Sequence, residues 1–327
     1  MRSYGERVRI MKNDNILVSV VCDVYNHEPY LRQCFDGFVM QKTNFKFEVL
    51  VHDDASTDKS AEIIIEYTNK YPDIFKPIIQ KENQYSKGVG IWKTYQFPRV
   101  KGKYVAFCEG DDYWIDPLKL QKQVTAIESD SKNTMVYTAF STVDEIGNSI
   151  YRYDLHYNMR KSKSGNILPF LLFRNVVMTV SCMVNRKVLE SKLYLDCNKS
   201  LDYNLFLAAS LLGNCIYLDH NTCSYRKVGY SMTNSNRNLV QQHFLQVWEY
   251  YVEIVLNNSK QRIIADKNLT LNFILAKSID LWLKGFGTKY VKEVISHRRM
   301  LWHIFPACFL ELQYLFSYNI KKLFIHE

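Results

Sequence analysis

An α/β fold with a parallel sheet is predicted by three short apolar runs and by the helical patterns between them. The runs cover 16–21, 47–52 and 104–108, and they are rich in the β-branched and aromatic residues of buried strands. The segments 30–41 and 59–70 carry apolar residues at helical spacing. Strands that alternate with amphipathic helices indicate βαβ units, which place parallel strands in one sheet.

Each of the three predicted strands is followed by acidic or polar side chains. Asp23 ends the first run, Asp53 and Asp54 follow the second, and Asp111 and Asp112 follow the third. Ligands of open α/β sheets bind at the carboxyl ends of the strands. Two adjacent carboxylates repel each other and are best tolerated beside a cation. A single acidic pair also fits a polar turn, but three converging strand ends favour a binding site.

These motifs resemble glycosyltransferase family 2, the inverting sugar transferases with the GT-A fold. The resemblance is carried by Tyr25 and Asn26 after the first strand, by the segment 51–58 and by the segment 109–114. The segment 116–123 resembles a bacterial subgroup that builds cell-surface polysaccharides. The resemblance covers about 15–232 and implies a Rossmann-like mixed sheet flanked by helices. Beyond it, the pattern of apolar residues predicts a helical C-terminal extension.

The resemblance also implies where a nucleotide sugar would bind. In the family, the motifs matching Tyr25, Asp53 and Asp54 surround the base and ribose, and a carboxylate is a good acceptor for the imide N–H of uracil. The position of Asp112 holds a metal ion on the diphosphate, and Asp111 beside it contacts sugar, ribose or metal. Mg²⁺ and Mn²⁺ both suit carboxylate, water and phosphate oxygens.

An inverting transfer needs a general base, and the resemblance points to Asp202. This residue lies in the first turn of a predicted amphipathic helix, 202–212, which Gly213 would close. The alternative is that Asp202 only complements the helix dipole. The chain departs from the family pattern at Leu201, where the usual leading acidic residue is missing.

A second departure lies in the segment 225–231. Many family members carry a His that reaches the metal or the diphosphate at the position of Val228. Arg226 or Lys227 is therefore expected to neutralise the diphosphate instead. His52 and His220 are interpreted as structural residues.

Composition excludes several classes of function. No Gly-x-x-x-x-Gly-Lys-Ser/Thr segment occurs, so a P-loop is not expected. The eight cysteines include no Cys-x-x-Cys pair, and they fit reduced core thiols of a cytoplasmic protein. The start of the chain lacks the apolar core of a signal peptide. The net charge of +9 is not gathered in a basic stripe, so no nucleic-acid partner is expected.

Three regions are predicted: a polar segment over 1–15, a GT-A domain over 16–232 and a helical extension over 233–327. The extension has candidate helices at 239–256, 265–283, 289–299 and 301–324, and most of the excess positive charge. The last helix is aromatic but interrupted by polar residues and Pro306, which argues against a transmembrane span. It either lies on the inner face of the plasma membrane or packs on the catalytic domain.

The sequence therefore predicts a metal-dependent transferase that moves a sugar from a nucleoside-diphosphate donor, UDP being favoured. The acceptor would be a glycan or a lipid-linked glycan in the synthesis of cell-envelope polysaccharide. Leu201 and Val228 motivate the alternative, a catalytically impaired relative that binds a nucleotide sugar or a glycan. The oligomeric state stays open, with a homo-oligomer among the alternatives.

Overall fold

The structure is a computed structural model that describes residues 15–151, 163–197, 202–229 and 237–257, together with 270, 273–274, 277–278 and 281. The chain forms two compact units, Met1–Thr125 and Ala126–Glu327. Each unit has its own strands, helices and buried core, and each carries some of the predicted site residues.

The first unit alternates strands with helices, as the sequence predicts. Its strands are β1 (Ile16–Val24), β2 (Lys46–Asp53), β3 (Phe75–Ile79), β4 (Tyr104–Phe107) and β5 (Tyr113–Trp114). Its helices are α1 (Glu28–Val39), α2 (Ser60–Lys70) and α3 (Lys119–Ile127), the last of which leads into the second unit. A short π-helical turn, Trp92–Gln96, runs into a 3₁₀ turn, Phe97–Arg99, before β4.

Four strands of the first unit form a parallel sheet in the order β3-β2-β1-β4. The central strands are buried on both faces, which explains why they read as continuous apolar runs rather than alternating ones. Val24 is in register with Asp53, and Val21 is in register with Phe107. The carboxyl ends of β1, β2 and β4 therefore meet at one edge of the sheet.

Helices α1 and α2 cover this sheet through aromatic side chains. The ring of Phe35 lies 5.1 Å from that of Tyr67 and 4.9 Å from that of Phe75. Phe38 packs edge-on against Trp114 at 4.9 Å. Because both helices are fixed against the sheet, their N-termini are held beside the carboxyl ends of the strands.

The N-termini of α1 and α2 cap each other. Asp58 accepts hydrogen bonds from the backbone N–H of Ser60 in α2 (2.9 Å) and of Glu28 in α1 (2.9 Å). Glu28 of α1 caps α2 in the same way, because its carboxylate accepts a hydrogen bond from the backbone N–H of Lys59 (3.1 Å). Such caps satisfy N–H groups that a helix leaves unpaired at its start.

The second unit contains a mixed set of strands. They are β6 (Asn133–Val143), β7 (Cys182–Asn185) and β8 (Asn214–Arg226), of which β7 is antiparallel and β8 parallel to β6. The helices are α4 (Leu168–Phe173), α5 (Lys192–Leu195), α6 (Asp202–Leu212) and α7 (Arg237–Asn257). The predicted mixed sheet flanked by helices is confirmed.

Helix α6 has the predicted bounds but not the predicted amphipathic character. Eight consecutive residues, from Tyr203 to Ser210, are buried, so the helix is covered on nearly all sides. It ends where Gly213 donates from its backbone N–H to the carbonyl of Ala209 (3.1 Å). A Cβ atom at Gly213 would lie 2.1 Å from the carbonyl oxygen of Lys132, so close backbone packing requires glycine here.

Helix α7 confirms the helix predicted over 239–256 and packs within the second unit. Tyr251 donates to Oδ1 of Asn204 on α6 (2.6 Å), and Trp248 donates to the carbonyl of Leu172 (2.7 Å). The predicted helices over 289–299 and 301–324, and most of 265–283, lie outside the described residues. The predicted domain boundaries near 15 and 232 stay predictions.

The described cysteines are buried thiols, which agrees with their interpretation as core residues. They are Cys22, Cys34, Cys108, Cys182, Cys197, Cys215 and Cys223. In the described part of the chain, no helix is both long enough and apolar enough to span a bilayer.

Candidate active site

The carboxyl edge of the first unit's sheet joins the loops that follow three strands. The backbone N–H of Asp54 donates to the carbonyl of Val24 (2.9 Å), and that of Gly110 donates to the carbonyl of Asp23 (3.0 Å). These bonds tie the loops after β2 and β4 to the end of β1. The polar strand ends that the sequence predicts to converge therefore do so.

The loop after β1 interlocks with the loop after β2. The backbone N–H of Asn26 donates to Oγ of Ser56 (2.9 Å), and its side-chain oxygen accepts from the N–H of Thr57 (2.8 Å). Asn26 (φ 56°) and Ala55 (φ 62°) both adopt the left-handed conformation, which is uncommon for residues other than glycine. Such strained residues concentrate at functional sites. The strained turn leaves the ring of Tyr25 46% exposed at this edge.

Asp53 is almost fully buried at the end of β2, and its carboxylate faces its own loop. One oxygen accepts the hydroxyl of Ser56, and the other accepts the backbone N–H of Ser56 (3.3 Å). Burial raises the pKa of Asp53, although the two bonds from Ser56 oppose the shift. A carboxylate held in this way is a fixed hydrogen-bond acceptor.

Asp54 organises a second loop. Its two carboxylate oxygens accept the backbone N–H groups of Gln84 (2.7 Å) and Tyr85 (3.0 Å), and its carbonyl accepts from the side chain of Asn83 (3.1 Å). The carboxylate thus fixes the loop after β3 against the end of β2. The family motif predicts a role for Asp54 in the base pocket, and the structure adds this anchoring role.

The motif after β4 forms a tight turn beside α1. Asp112 is buried at 4% exposure, and its backbone N–H donates to the carbonyl of Glu109 (3.0 Å), whereas Asp111 is partly exposed. A Cβ atom at Gly110 would lie 2.7 Å from Nδ1 of His27, so the turn has room only for glycine. The His27 contact explains why a glycine precedes the two carboxylates.

The chemistry of this turn fits a hard divalent cation. Asp111 and Asp112 offer carboxylate oxygens, the ligand type that Mg²⁺ and Mn²⁺ prefer. Over the described residues, no group of three or more His, Cys, Asp or Glu side chains is arranged to hold a metal. An ion here would need further oxygen ligands from water or from a bound phosphate.

A buried polar network under the strand ends was not predicted from the sequence. Nε2 of Gln96 donates to Oδ1 of Asp23 (2.7 Å) and to the carbonyl of Leu50 (3.1 Å), and its oxygen accepts from Arg99 (2.8 Å). Burial raises the pKa of Asp23 to about 6, and the Gln96 hydrogen bond limits the rise. Gln96 lies 73 residues from Asp23 in the sequence, so no local pattern reveals the pair.

His52 has the structural role that the sequence suggests. Its ring is buried, stacks on Tyr95 at 5.1 Å and lies 3.1 Å from the side-chain nitrogen of Gln80. Burial lowers the pKa of His52 to about 4, so the ring is neutral at physiological pH.

In the second unit, Asp202 begins α6. Its Oδ2 accepts the hydroxyl of Thr179 (2.6 Å), and its Oδ1 accepts the backbone N–H of Tyr203 (2.7 Å). Burial raises the pKa of Asp202, and the bonds from Thr179 and Tyr203 oppose the shift. A carboxylate with a raised pKa is a stronger base than an ordinary one, which suits proton abstraction.

Arg226 is buried at the end of β8. Its Nη1 donates to the carbonyls of Asp144 (3.2 Å) and Glu145 (3.0 Å), which ties β8 to the turn after β6. Lys227, the alternative cation, is exposed. A role for Arg226 toward a diphosphate stays a prediction, because these contacts are with backbone carbonyls.

The sequence profile described as glycosyl transferase family 2 matches residues 19–191, which is more than half of the chain. The chain belongs to glycosyltransferase family 2. The match includes most of β1, all of β2 and β4, and the segments after them that carry Tyr25, Asp54 and Asp112. The family named from the sequence is thereby confirmed.

One relative in the family is an uncharacterized protein of Mycobacterium tuberculosis, 36% identical over 172 residues. The match covers 52% of this chain and 47% of that protein, so the chain spans about half the length of such curated relatives.

Solved structures support the GT-A fold of this family 2 member. A crystal structure of residues 1–349 of S. aureus TarS in complex with UDP-GlcNAc has a TM-score of 0.58 and 17% identity, covering 88% of this chain and 77% of that one. A mannosyltransferase from Pyrobaculum calidifontis, in complex with GDP-Man and Mn²⁺, has a TM-score of 0.50 and 15% identity, covering 95% and 88%. At these identities the likeness shows the fold.

The site residues predicted from the family 2 motifs are divided between the two units. Tyr25, Asp53 and Asp54 share one edge of the first unit's sheet with the turn that carries Asp111 and Asp112. The remaining two, Asp202 and Arg226, belong to the second unit.

Proposed function

We propose that this protein is an inverting glycosyltransferase that moves a sugar from a nucleoside-diphosphate donor, UDP being favoured, to a glycan or lipid-linked glycan. The observation that carries the proposal is the convergence of three acidic strand ends at one edge of the first unit's sheet, in a family 2 chain. Cell-envelope polysaccharide is the proposed product, on the resemblance of the segment 116–123 to the bacterial subgroup.

The donor would bind at the carboxyl edge of the first unit. Tyr25 supplies an exposed aromatic face, Asp53 a fixed acceptor for a base N–H, and Asp54 the anchored loop beside them. The TarS structures that contain UDP or UDP-GlcNAc support a uridine donor for a chain of this fold.

Asp112, with Asp111, would hold a Mn²⁺ or Mg²⁺ ion on the diphosphate. When bound, such an ion stabilises the charge that develops on the leaving diphosphate. The proposal draws support from the oxygen ligands in the turn and from the Mn²⁺ in the Pyrobaculum mannosyltransferase. Arg226, or the exposed Lys227, would add positive charge toward the diphosphate.

Asp202 would act as the general base. Its carboxylate takes the proton of the acceptor hydroxyl while that oxygen bonds to the anomeric carbon, and the nucleoside diphosphate leaves with the electrons of the broken bond. The attack comes from the face opposite the leaving group, so the anomeric configuration inverts. Its raised pKa and its fixing bond from Thr179 support this role.

Location and domain roles stay proposals. We propose a cytoplasmic enzyme whose GT-A domain covers 16–232, between a polar segment over 1–15 and an extension over 233–327. Contact of the extension with the inner face of the plasma membrane would bring it to lipid-linked acceptors. Binding to anionic vesicles that falls with added salt would support this contact.

A screen of nucleotide sugars tests the donor assignment. A ligand that binds only the native state raises the melting temperature, so UDP or a UDP sugar should shift the transition, more so with Mn²⁺. Asp112→Asn should lose the Mn²⁺ dependence and keep its fold. If no nucleotide shifts the transition, or if Asp112→Asn keeps the full Mn²⁺ effect, the assignment is wrong. Binding without turnover would favour the impaired, binding-only alternative.

A further inference from the structure

The second unit contains a cavity of about 250 Å³ that has no role in the proposed reaction as described above. It lies between α6, α7 and the segment that follows α4. Four aromatic side chains contribute to its wall: Phe173, Tyr203, Phe244 and Trp248. The described residues that line the cavity therefore all belong to the second unit, and four of the ten are aromatic.

The polar tips of two wall residues are engaged elsewhere. The hydroxyl of Tyr203 donates to the carbonyl of Leu171 (2.6 Å), and the indole N–H of Trp248 donates to the carbonyl of Leu172 (2.7 Å). The rings of Tyr203 and Phe244 lie 5.4 Å apart. The carbon surfaces of these rings thus form the apolar part of the wall, where a polar group would lose hydrogen bonds to water. The amide side chains of Asn175 and Gln241 also line the cavity.

Two cationic side chains also line the cavity. Arg174 packs its guanidinium over the Phe173 ring at 5.7 Å, and Lys277 lies on the helical stretch around 277–278. Of the described residues that form the lining, none is Asp or Glu. The wall therefore combines aromatic and leucine side chains with two amides and two positive charges, and the planar guanidinium fits phosphate oxygens in pairs.

A wall residue of the cavity and the proposed base are neighbours in the first turn of α6, because Tyr203 follows Asp202. We infer that the cavity binds an anionic amphiphile, an apolar chain joined to a phosphate, as the part of the acceptor that holds its hydroxyl near Asp202. This inference rests on the proposed function and specifies its acceptor. The apolar chain would contact the aromatic wall, and Arg174 and Lys277 would bind the phosphate.

Calorimetric titration of the full chain tests the inference with three probes: n-octyl phosphate below its critical micelle concentration, the neutral n-octyl β-glucoside, and inorganic phosphate. We expect octyl phosphate to bind at least about 10-fold more tightly than either of the others, since it satisfies both the apolar wall and the two charges. Equal affinity for the anionic and neutral chains, or no binding of octyl phosphate, overturns the inference.

Variants assign the binding to the cavity. Arg174→Gln and Lys277→Gln should each reduce the preference for octyl phosphate, and Leu245→Trp, which fills the cavity, should abolish binding. Arg186→Gln is the matched control, because this half-exposed arginine of the same unit pairs with Glu190 (3.0 Å) outside the cavity. An Arg186→Gln effect as large as that of Arg174→Gln would overturn the assignment.

Two further measurements distinguish the cavity from a membrane surface and from the donor site. If Arg174→Gln and Lys277→Gln weaken binding only to vesicles of anionic phospholipid, the two cations act at a membrane surface and the cavity assignment is wrong. UDP binding is measured on the same proteins. A chain that binds UDP but not octyl phosphate keeps the proposed function and overturns this inference. A chain that binds octyl phosphate but no nucleotide overturns the proposed function and the acceptor role with it.

Discussion

The hydroxyl of Thr179 donates a 2.6 Å hydrogen bond to Oδ2 of Asp202. This bond favours the charged carboxylate and opposes the rise in pKa that burial causes. If Asp202 is the base, turnover requires it to be deprotonated, so the rate falls as the pH drops through the pKa of Asp202.

Replacing Thr179 by Val should therefore move the acid limb of the rate profile to higher pH. The variant loses the bond that stabilises the charged form, so the pKa of Asp202 rises further. Thr179→Ser keeps a hydroxyl and is the control. Donor turnover measured from about pH 4 to about pH 9 shows whether the acid limb shifts in Thr179→Val. An acid limb that stays in place in Thr179→Val would show that Asp202 does not set it.

Gly110→Ala should lower the free energy of unfolding by about 1–3 kcal/mol, the usual cost of forcing extra atoms into a packed site. The new Cβ would lie 2.7 Å from Nδ1 of His27. In a His27→Ala background the cost should be smaller, because that contact is gone. Urea unfolding of the parent, the two single variants and the double variant gives the coupling free energy between positions 110 and 27. Strictly additive costs would contradict the predicted clash.

Replacing Asp53 or Asp54 by Asn should affect UDP binding and protein stability in different proportions. Asp53→Asn should weaken UDP binding by about 1–3 kcal/mol, the scale of a hydrogen bond to a charged group. Its loss of stability should be smaller than that of Asp54→Asn, because among the described residues the Asp53 carboxylate accepts hydrogen bonds only from Ser56 of its own loop. Asp54→Asn should lower both the affinity for UDP and the free energy of unfolding, because its carboxylate holds the N–H groups of Gln84 and Tyr85. Asp73→Asn, at an exposed position of the same unit, is the control. Calorimetry and urea unfolding measure the two effects, and unchanged UDP affinity in both variants would refute the base-pocket assignment.

Asp23 should make the protein less stable as the pH rises. Its pKa is about 6 in the folded chain and 3.8 as an ordinary carboxyl, so the folded state binds this proton more tightly than the unfolded state. The stabilisation is fully present below pH 3.8 and is lost as the pH rises through about 6. Asp23→Asn removes the titration, and its free energy of unfolding relative to the parent should rise by up to about 3 kcal/mol between acid and neutral pH. Urea unfolding of both proteins across this pH range measures the difference in their free energies of unfolding. A difference that does not change with pH would contradict the predicted titration.

The fold was predictable where the signal was local. Strands β1, β2 and β4 are continuous apolar runs, and helices α1, α2 and α7 lie close to their predicted positions. The predicted amphipathic face of α6 was wrong, because the stretch from Leu205 to Ala209 is apolar at every position and is covered on nearly all sides. Burial on several faces depends on which elements pack around a helix, which a short sequence window does not show.

The site residues could be predicted from the sequence where acidic side chains lie at or just after the end of a strand. One acidic pair begins at the last residue of β2, Asp53, and the other lies in the turn after β4, at Asp111 and Asp112, so the rule for parallel sheets found both. Gln96 and Thr179 were missed because their partners, Asp23 and Asp202, lie 73 and 23 residues away. Such contacts arise from tertiary packing and leave no spacing pattern in the sequence.

The release of nucleoside diphosphate from a UDP sugar, in the presence of Mn²⁺ and an acceptor, tests the proposed transferase activity most directly. We expect the parent protein to turn over the donor. We also expect Asp202→Asn to bind UDP as well as the parent but to lose about 100-fold or more in rate, the scale of a missing general base. Turnover by Asp202→Asn at the parent rate would contradict the role of Asp202 as the base, and a parent protein that binds UDP sugars but never releases UDP would contradict the transferase activity itself.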